Sequence, residues 1–177
     1  MALLVEAYCV VVRADAIRSK VQGGWNAFQD LVPNSTLCAD GEIARVGFLN
    51  FDDVMQFVAI LEHAGLIHLH DSKAEDLVIV DQQQGPMESC DWIEFASLPT
   101  DGNQKMVRAC RLKGSQGQEV RTPDWWKWEG SMSQSFLYRR VDDSSSQVTE
   151  ISDGIDEIRT PLSPKPWYVG RPFRKKH

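Results

Sequence analysis

No C-x-x-C pair, no G-x-S-x-G elbow, no Walker-type loop and no G-x-G-x-x-G run occurs anywhere in the 177 residues. The first gap, with the irregular spacing of Cys9, Cys38, Cys90 and Cys110, excludes a zinc knuckle and a dense disulfide framework; it suits reduced, buried thiols in a cytoplasm. The others exclude the serine-elbow hydrolases and the common phosphate-cradling folds. Long apolar runs are missing too, so the sequence offers no stretch of the roughly 18 residues that a membrane span requires. The run "ALLVEAYCVVV" contains Glu6, lacks a basic leader and has no small-residue cleavage site, which speaks against a signal peptide.

Positive charge is scarce in the first hundred residues. Only Arg13, Arg18, Lys20, Arg45 and Lys73 stand there against 15 acids, within a chain of formal net charge -6. Residues 101–177 reverse the balance, with 14 bases against ten acids. An acidic body of this kind repels nucleic acid and attracts basic surfaces by long-range steering that salt weakens.

Hydrophobic patterning then gives the architecture. "LVEAYCVVV" has the composition and length of a buried strand. Asp15 begins a helix that the Gly23-Gly24 pair divides before Pro33 ends it. "STLCA" and "EIARVGF" flank Asp40-Gly41, a two-residue hairpin turn, so turn geometry is the first explanation of Asp40. In "FDDVMQFVAILEHAGL", Val54, Phe57, Val58 and Leu61 recur at helical spacing, Asn50 or Asp52 caps the start, and Gly65 stops the end. "LIHLH" and "DLVIVDQ" read as a longer-looped hairpin, and "DWIEFAS" as a further strand. The expected fold class is α+β: a mainly antiparallel sheet with two helices on one face, ferredoxin-like or a duplicated βαββ, plus a β-rich C-terminal extension. The expected divisions are an acidic α+β domain at 1–100, a tryptophan-containing β extension packed on it at 101–141, and a polar linker with a proline-rich basic tail at 142–177.

Few constellations carry chemistry. His68 and His70, two apart on a strand, share a face, but the sequence fixes no third ligand, so neither a metal nor another cofactor is expected. Cys38 and Cys90 sit beside Asp40 and Asp91, and an adjacent carboxylate raises a thiol pKa rather than activating it. Glu42 and Asp81 have no separation that sequence can supply. Among Trp125, Trp126 and Trp128, strand alternation places Trp126 and Trp128 together, as an aromatic anchor pair of the kind that dominates binding interfaces.

The run "VPNSTLCADGEIARVGFLNFDDVMQFVAILEHAGL", with "DLVIVDQQQGP" and "CDWIEF", resembles a group of small uncharacterised bacterial proteins over roughly residues 3 to 97, with a weaker echo in "TPDWWKWEGSMSQSF". In size, acidity, α+β layout and lack of a catalytic signature the chain is also similar to immunity proteins of bacterial toxin systems, a likeness without a diagnostic motif that transfers no residue roles. It implies a cytoplasmic, non-enzymatic binding module that masks a basic, toxin-like protein. The residues expected at that surface are Asp52, Asp53, Glu62, Glu75 and Asp76, with Trp126 and Trp128 as anchors. The rival expectation is a small-ligand binder or enzyme with a cleft of Asp40, Arg45, Asp81, Gln82 and Trp92, in which Arg45 clamps a carboxylate or phosphate. A third is a homodimer in which the basic tail docks on another copy's acidic body.

Overall fold

Two-residue alternation along three apolar stretches builds a central sheet that is buried on both faces. In the computed structural model, which describes residues 1–100, 103–124, 126, 147–152, 155–159 and 167–170, those stretches are β2 (Tyr8–Arg13), β4 (Ile43–Phe48) and β7 (Leu77–Asp81). With the two-residue strands β3 (Cys38–Ala39) and β8 (Gly85–Pro86), they form an antiparallel sheet in the order β3-β4-β2-β7-β8. The path from β2 to β3 carries α1 (Ala14–Lys20) and α2 (Gly24–Leu31), and the path from β4 to β7 carries α3 (Phe51–His63). Each path skips one strand, which gives two interlocked split βαβ units, the strand order of the ferredoxin-like layout. The fold is therefore α+β as expected, with three helices because Gly23, at φ 89°, breaks the first helix and lets α2 start anew.

One face of the sheet meets the helices. Val10, Val12, Ala44, Val46, Phe48, Leu77 and Ile79 point there and pack on Ile17, Phe28, Val54, Phe57 and Leu61. The Phe48 and Phe57 rings lie 5.3 Å apart. The start of α3 is fixed by a reciprocal cap in which Asn50 Oδ1 accepts the Asp53 N–H at 2.9 Å and the Asp53 carboxylate accepts from Asn50 Nδ2 at 2.9 Å. Gly65, at φ 110°, ends the helix where an added Cβ would lie 2.9 Å from the Lys20 carbonyl oxygen.

The opposite face is covered by a second sheet, in the order β11-β1-β10-β9, from β1 (Ala2–Leu4), β9 (Ile93–Thr100), β10 (Asn103–Leu112) and β11 (Val120–Arg121). Leu3, Ile93 and Cys110 of this sheet pack against Cys9, Val11, Val78 and Val80. Two expectations are corrected here. "LVEAYCVVV" is two strands in two sheets, because Ala7 takes φ 54° and turns the chain from one layer to the other. The boundary drawn at residue 100 falls inside the β9–β10 hairpin, and β1 pairs on both sides with strands from beyond residue 102. The segment expected to be linker and tail contains the antiparallel meander β12 (Gln147–Ser152), β13 (Ile155–Arg159) and β14 (Trp167–Gly170). The short hairpin of β5 (Leu69–His70) and β6 (Lys73–Ala74) follows α3.

Since β3 is only two residues long, β4 has no partner on its β3 edge at Gly47, whose other edge meets Cys9 of β2, and side chains take the missing strand's place. Thr36 Oγ1 accepts the Gly47 N–H at 2.7 Å, and Asn34 Nδ2 donates to the Gly47 carbonyl at 2.7 Å. Both residues are buried. Thr36→Val keeps the volume but leaves a buried N–H without an acceptor, so chemical denaturation should show a loss of about 1–3 kcal/mol. An unchanged midpoint would mean that Gly47 finds another partner.

Candidate functional site

The expected acidic surface divides into exposed and structural members. On α3, Asp52, Met55, Gln56, Ala59 and Glu62 are exposed and share the outer face, opposite the buried Val54, Phe57, Val58 and Leu61. Glu75, beside the β5–β6 hairpin, is also exposed. Asp53 and Asp76 are not surface residues, at 8% and 3% exposure, and this corrects their placement in a partner-facing patch. Asp53 completes the α3 cap, and Asp76 accepts Lys20 Nζ at 2.8 and 3.0 Å and the Ile67 N–H at 2.8 Å. Exposed large apolar side chains fall in the same stretch of sequence: Phe51, Met55, Ile67, Leu69 and Met87 are five of the seven such residues among those described. Composition could not locate these side chains, because which side of α3 faces water depends on the sheet packed beneath it.

The tryptophan expectation fares differently. Trp126 is half-buried and donates from Nε1 to Glu6 Oε1 at 3.0 Å, so its polar edge is engaged within the chain. Trp128 lies outside the described residues.

Of the five residues expected in a cleft, the structure brings together Asp40 and Arg45 and separates the rest. Arg45 pairs with Cys38 on one side and Val11 on the other, so the three share the inter-sheet face. Asp81 pairs with Tyr8, three residues further along β2 and across it from β4. Its Oδ1 accepts the N–H groups of Gln83 and Gln84, a turn role. Gln82 exchanges hydrogen bonds with Ala7 through Oε1 and its own N–H, and its carbonyl accepts Arg108 Nε, so it staples the two sheets together. Trp92 borders the same inter-sheet layer but donates to the Ala74 carbonyl at 3.1 Å and lies under Arg13. An open cleft around Arg45 is overturned: the side chain is 0% exposed.

What the strand pattern gave no sign of is the state of that arginine. Nε, Nη1 and Nη2 are all buried and have no hydrogen-bond partner, and Oδ2 of Asp40 is in the same condition. Asp40 Oδ1 accepts the N–H groups of Glu42 and Ile43 at 2.9 and 3.0 Å, a turn role, but the expected turn pair is corrected by one residue: Asp40 N–H bonds the Ile43 carbonyl, so the two turn residues are Gly41, at φ 92°, and Glu42. Cys9, Cys38 and Cys110 lie close enough to Arg45 to feel its charge. Burial nonetheless pushes all three thiols above the ordinary range, so they stay protonated and supply no counter-charge at neutral pH. Cys90 is likewise raised by burial. These are not the low-pKa, electropositive settings of nucleophilic cysteines.

The two histidines do not share a face. His68 is buried, with Nε2 2.6 Å from Glu88 Oε1, while His70 is exposed beside Asp71. Among the described residues no three His, Cys, Asp or Glu side chains gather as metal ligands, and no helix is long and apolar enough to cross a membrane. Comparison with known proteins gives no matching family model, no matching curated relative and no matching solved structure.

Proposed function

We propose that the chain is a non-enzymatic binding protein that engages a basic protein partner through the outer face of α3 and the adjoining β5–β6 hairpin, in the manner of an immunity-type inhibitor covering a toxin's basic surface. The observation that carries this reading is the exposure of Met55, at 42%, on the same helix face as the exposed acids Asp52 and Glu62, with Phe51, 40% exposed and edge-on to Tyr8, at the start of the helix. Solvent-facing helix positions are ordinarily polar, and exposed apolar groups rimmed by charge mark interaction sites. Methionine suits such a face because its flexible, polarizable side chain adapts to a partner. The acids would speed encounter, and apolar burial would slow release.

Capture from the native host with the full chain as bait tests this. The expected result is a stoichiometric basic protein at low salt, with association slowing steeply as ionic strength rises while dissociation changes little. Catalytic turnover by the isolated chain, lost on substitution of one buried polar residue, would count against it.

A further inference from the structure

Arg45 presents an electrostatic problem that the described residues do not solve. A guanidinium cannot shed its proton in a protein, so burial leaves a fixed positive charge with donors that need acceptors. Here all three nitrogens lack one. The thiols of Cys9, Cys38 and Cys110 lie within reach of its charge but are neutral, and Asp40, whose charge also reaches Cys38 and Cys110, forms no ion pair with Arg45 and keeps Oδ2 unused. A buried donor fork and a buried lone carboxylate oxygen thus belong to one hairpin, β3–β4, in the region where both reach Cys38 and Cys110.

We propose that this region binds a small oxyanion that also carries an O–H, with hydrogen phosphate the simplest member of the class. Its charged oxygens accept the planar Arg45 fork, whose geometry matches them in pairs. Its hydroxyl donates to Asp40 Oδ2, which sulfate, having no proton at neutral pH, cannot reproduce. The segment 113–124 runs along the β3 edge of this region. Several bonds tie that strap, and Trp126 beyond it, to the rest of the chain: Ser115 Oγ donates to Glu42 Oε2, Arg121 Nη1 donates to the Ala39 carbonyl at 2.7 Å, the Gly117 carbonyl accepts Arg111 Nη1 at 2.7 Å, and Trp126 Nε1 donates to Glu6 at 3.0 Å. Arg121 and Asp124 of the strap act electrostatically on Cys38, which places the strap beside the Arg45 row of the sheet. Entry is by release of these ties together with the two-residue β11–β1 pairing, which leaves the central sheet and the β1-β10-β9 part of the second sheet intact. This inference stands on residues that the α3 surface does not use, and it can fail without that surface failing.

Thermal unfolding of the full chain in phosphate, sulfate, acetate and chloride at matched ionic strength, for wild type and Arg45→Met, is the test. Phosphate and sulfate stabilise proteins in general, so the specific effect is the shift in wild type beyond the shift in the variant. Saturating phosphate should raise the wild-type Tm by about 5–10 °C more than that of R45M, sulfate should give less, and Asp40→Asn should erase the preference of phosphate over sulfate. Equal shifts in wild type and R45M overturn the proposal. So does an R45M chain that is far less stable than wild type without phosphate, since an unpaired charge replaced by an apolar group of similar length should cost nothing. Equilibrium dialysis of the wild-type chain against labelled phosphate is the second readout, and absence of bound phosphate sinks the idea.

Discussion

Lys20→Met lowers the unfolding free energy by about 2–4 kcal/mol, and Asp76→Ala costs less, about 1–3 kcal/mol. The order follows from burial. The Asp76 side chain is 4% exposed and that of Lys20 34%. Removing the lysine leaves a carboxylate inside the protein with only the Ile67 N–H for company. Removing the carboxylate lets the lysine, already at the surface, swing into water, and the remaining loss is the orphaned Ile67 N–H. Solvent at the lysine end keeps the first figure below that of a fully buried pair. The pair joins the end of α1 to the start of β7, two elements that sequence places 56 residues apart. Urea denaturation of both variants checks the order; a larger loss for D76A than for K20M would show that the lysine, not the carboxylate, is the buried partner.

A second large effect concerns alkaline pH. Cys9, Cys38 and Cys110 are held above their ordinary range, chiefly by burial and against the pull of Arg45. In the unfolded chain a thiol loses its proton near pH 8.5. A raised folded-state pKa means that the native state holds protons which the unfolded state releases, so this contribution is complete below about pH 8.5 and is lost as pH rises above it. Each thiol approaches a slope of about 1.4 kcal/mol per pH unit, and the three together about 4 kcal/mol per pH unit, until the folded-state values are reached. Cys90 is raised as well and adds its own share, so Cys9→Ala with Cys110→Ala should remove about half of the slope of the four thiols while adding a pH-independent packing cost. A double variant with the wild-type slope would assign the alkaline loss to other groups.

How far sequence foretold this molecule depends on whether the signal was local. The α3 helix was legible because its four buried apolar residues, its Asn50 cap and its Gly65 stop all lie within 16 residues. The hairpin at Asp40-Gly41 was legible for the same reason, though its turn pair is Gly41-Glu42, and the two interlocked crossovers follow from element order. The division of "LVEAYCVVV" was not, since a left-handed Ala7 between two good strand segments has no propensity signature. Asp53 and Asp76 looked like surface charge because sequence shows acids but not the cap and the lysine that absorb them. Arg45 was misread most fully. The cleft reading makes it an accessible clamp, which holds for a two-layer protein and fails once β1, β9, β10 and β11 cover that side of β4. Only long-range pairing of the first strand with residues beyond 102 supplies that cover, and hydrophobic periodicity carries no information about it.

The outer face of α3 is where the account is most exposed to refutation. A paired capture experiment at low salt, with wild type and a Met55→Ser, Asp52→Lys, Glu62→Lys triple variant as baits, tests it directly, because none of these side chains contributes to the core. The variant should keep the wild-type Tm and lose the basic partner by at least tenfold. A partner held equally well by both baits, or one captured only by the variant, would contradict the assignment of binding to this helix.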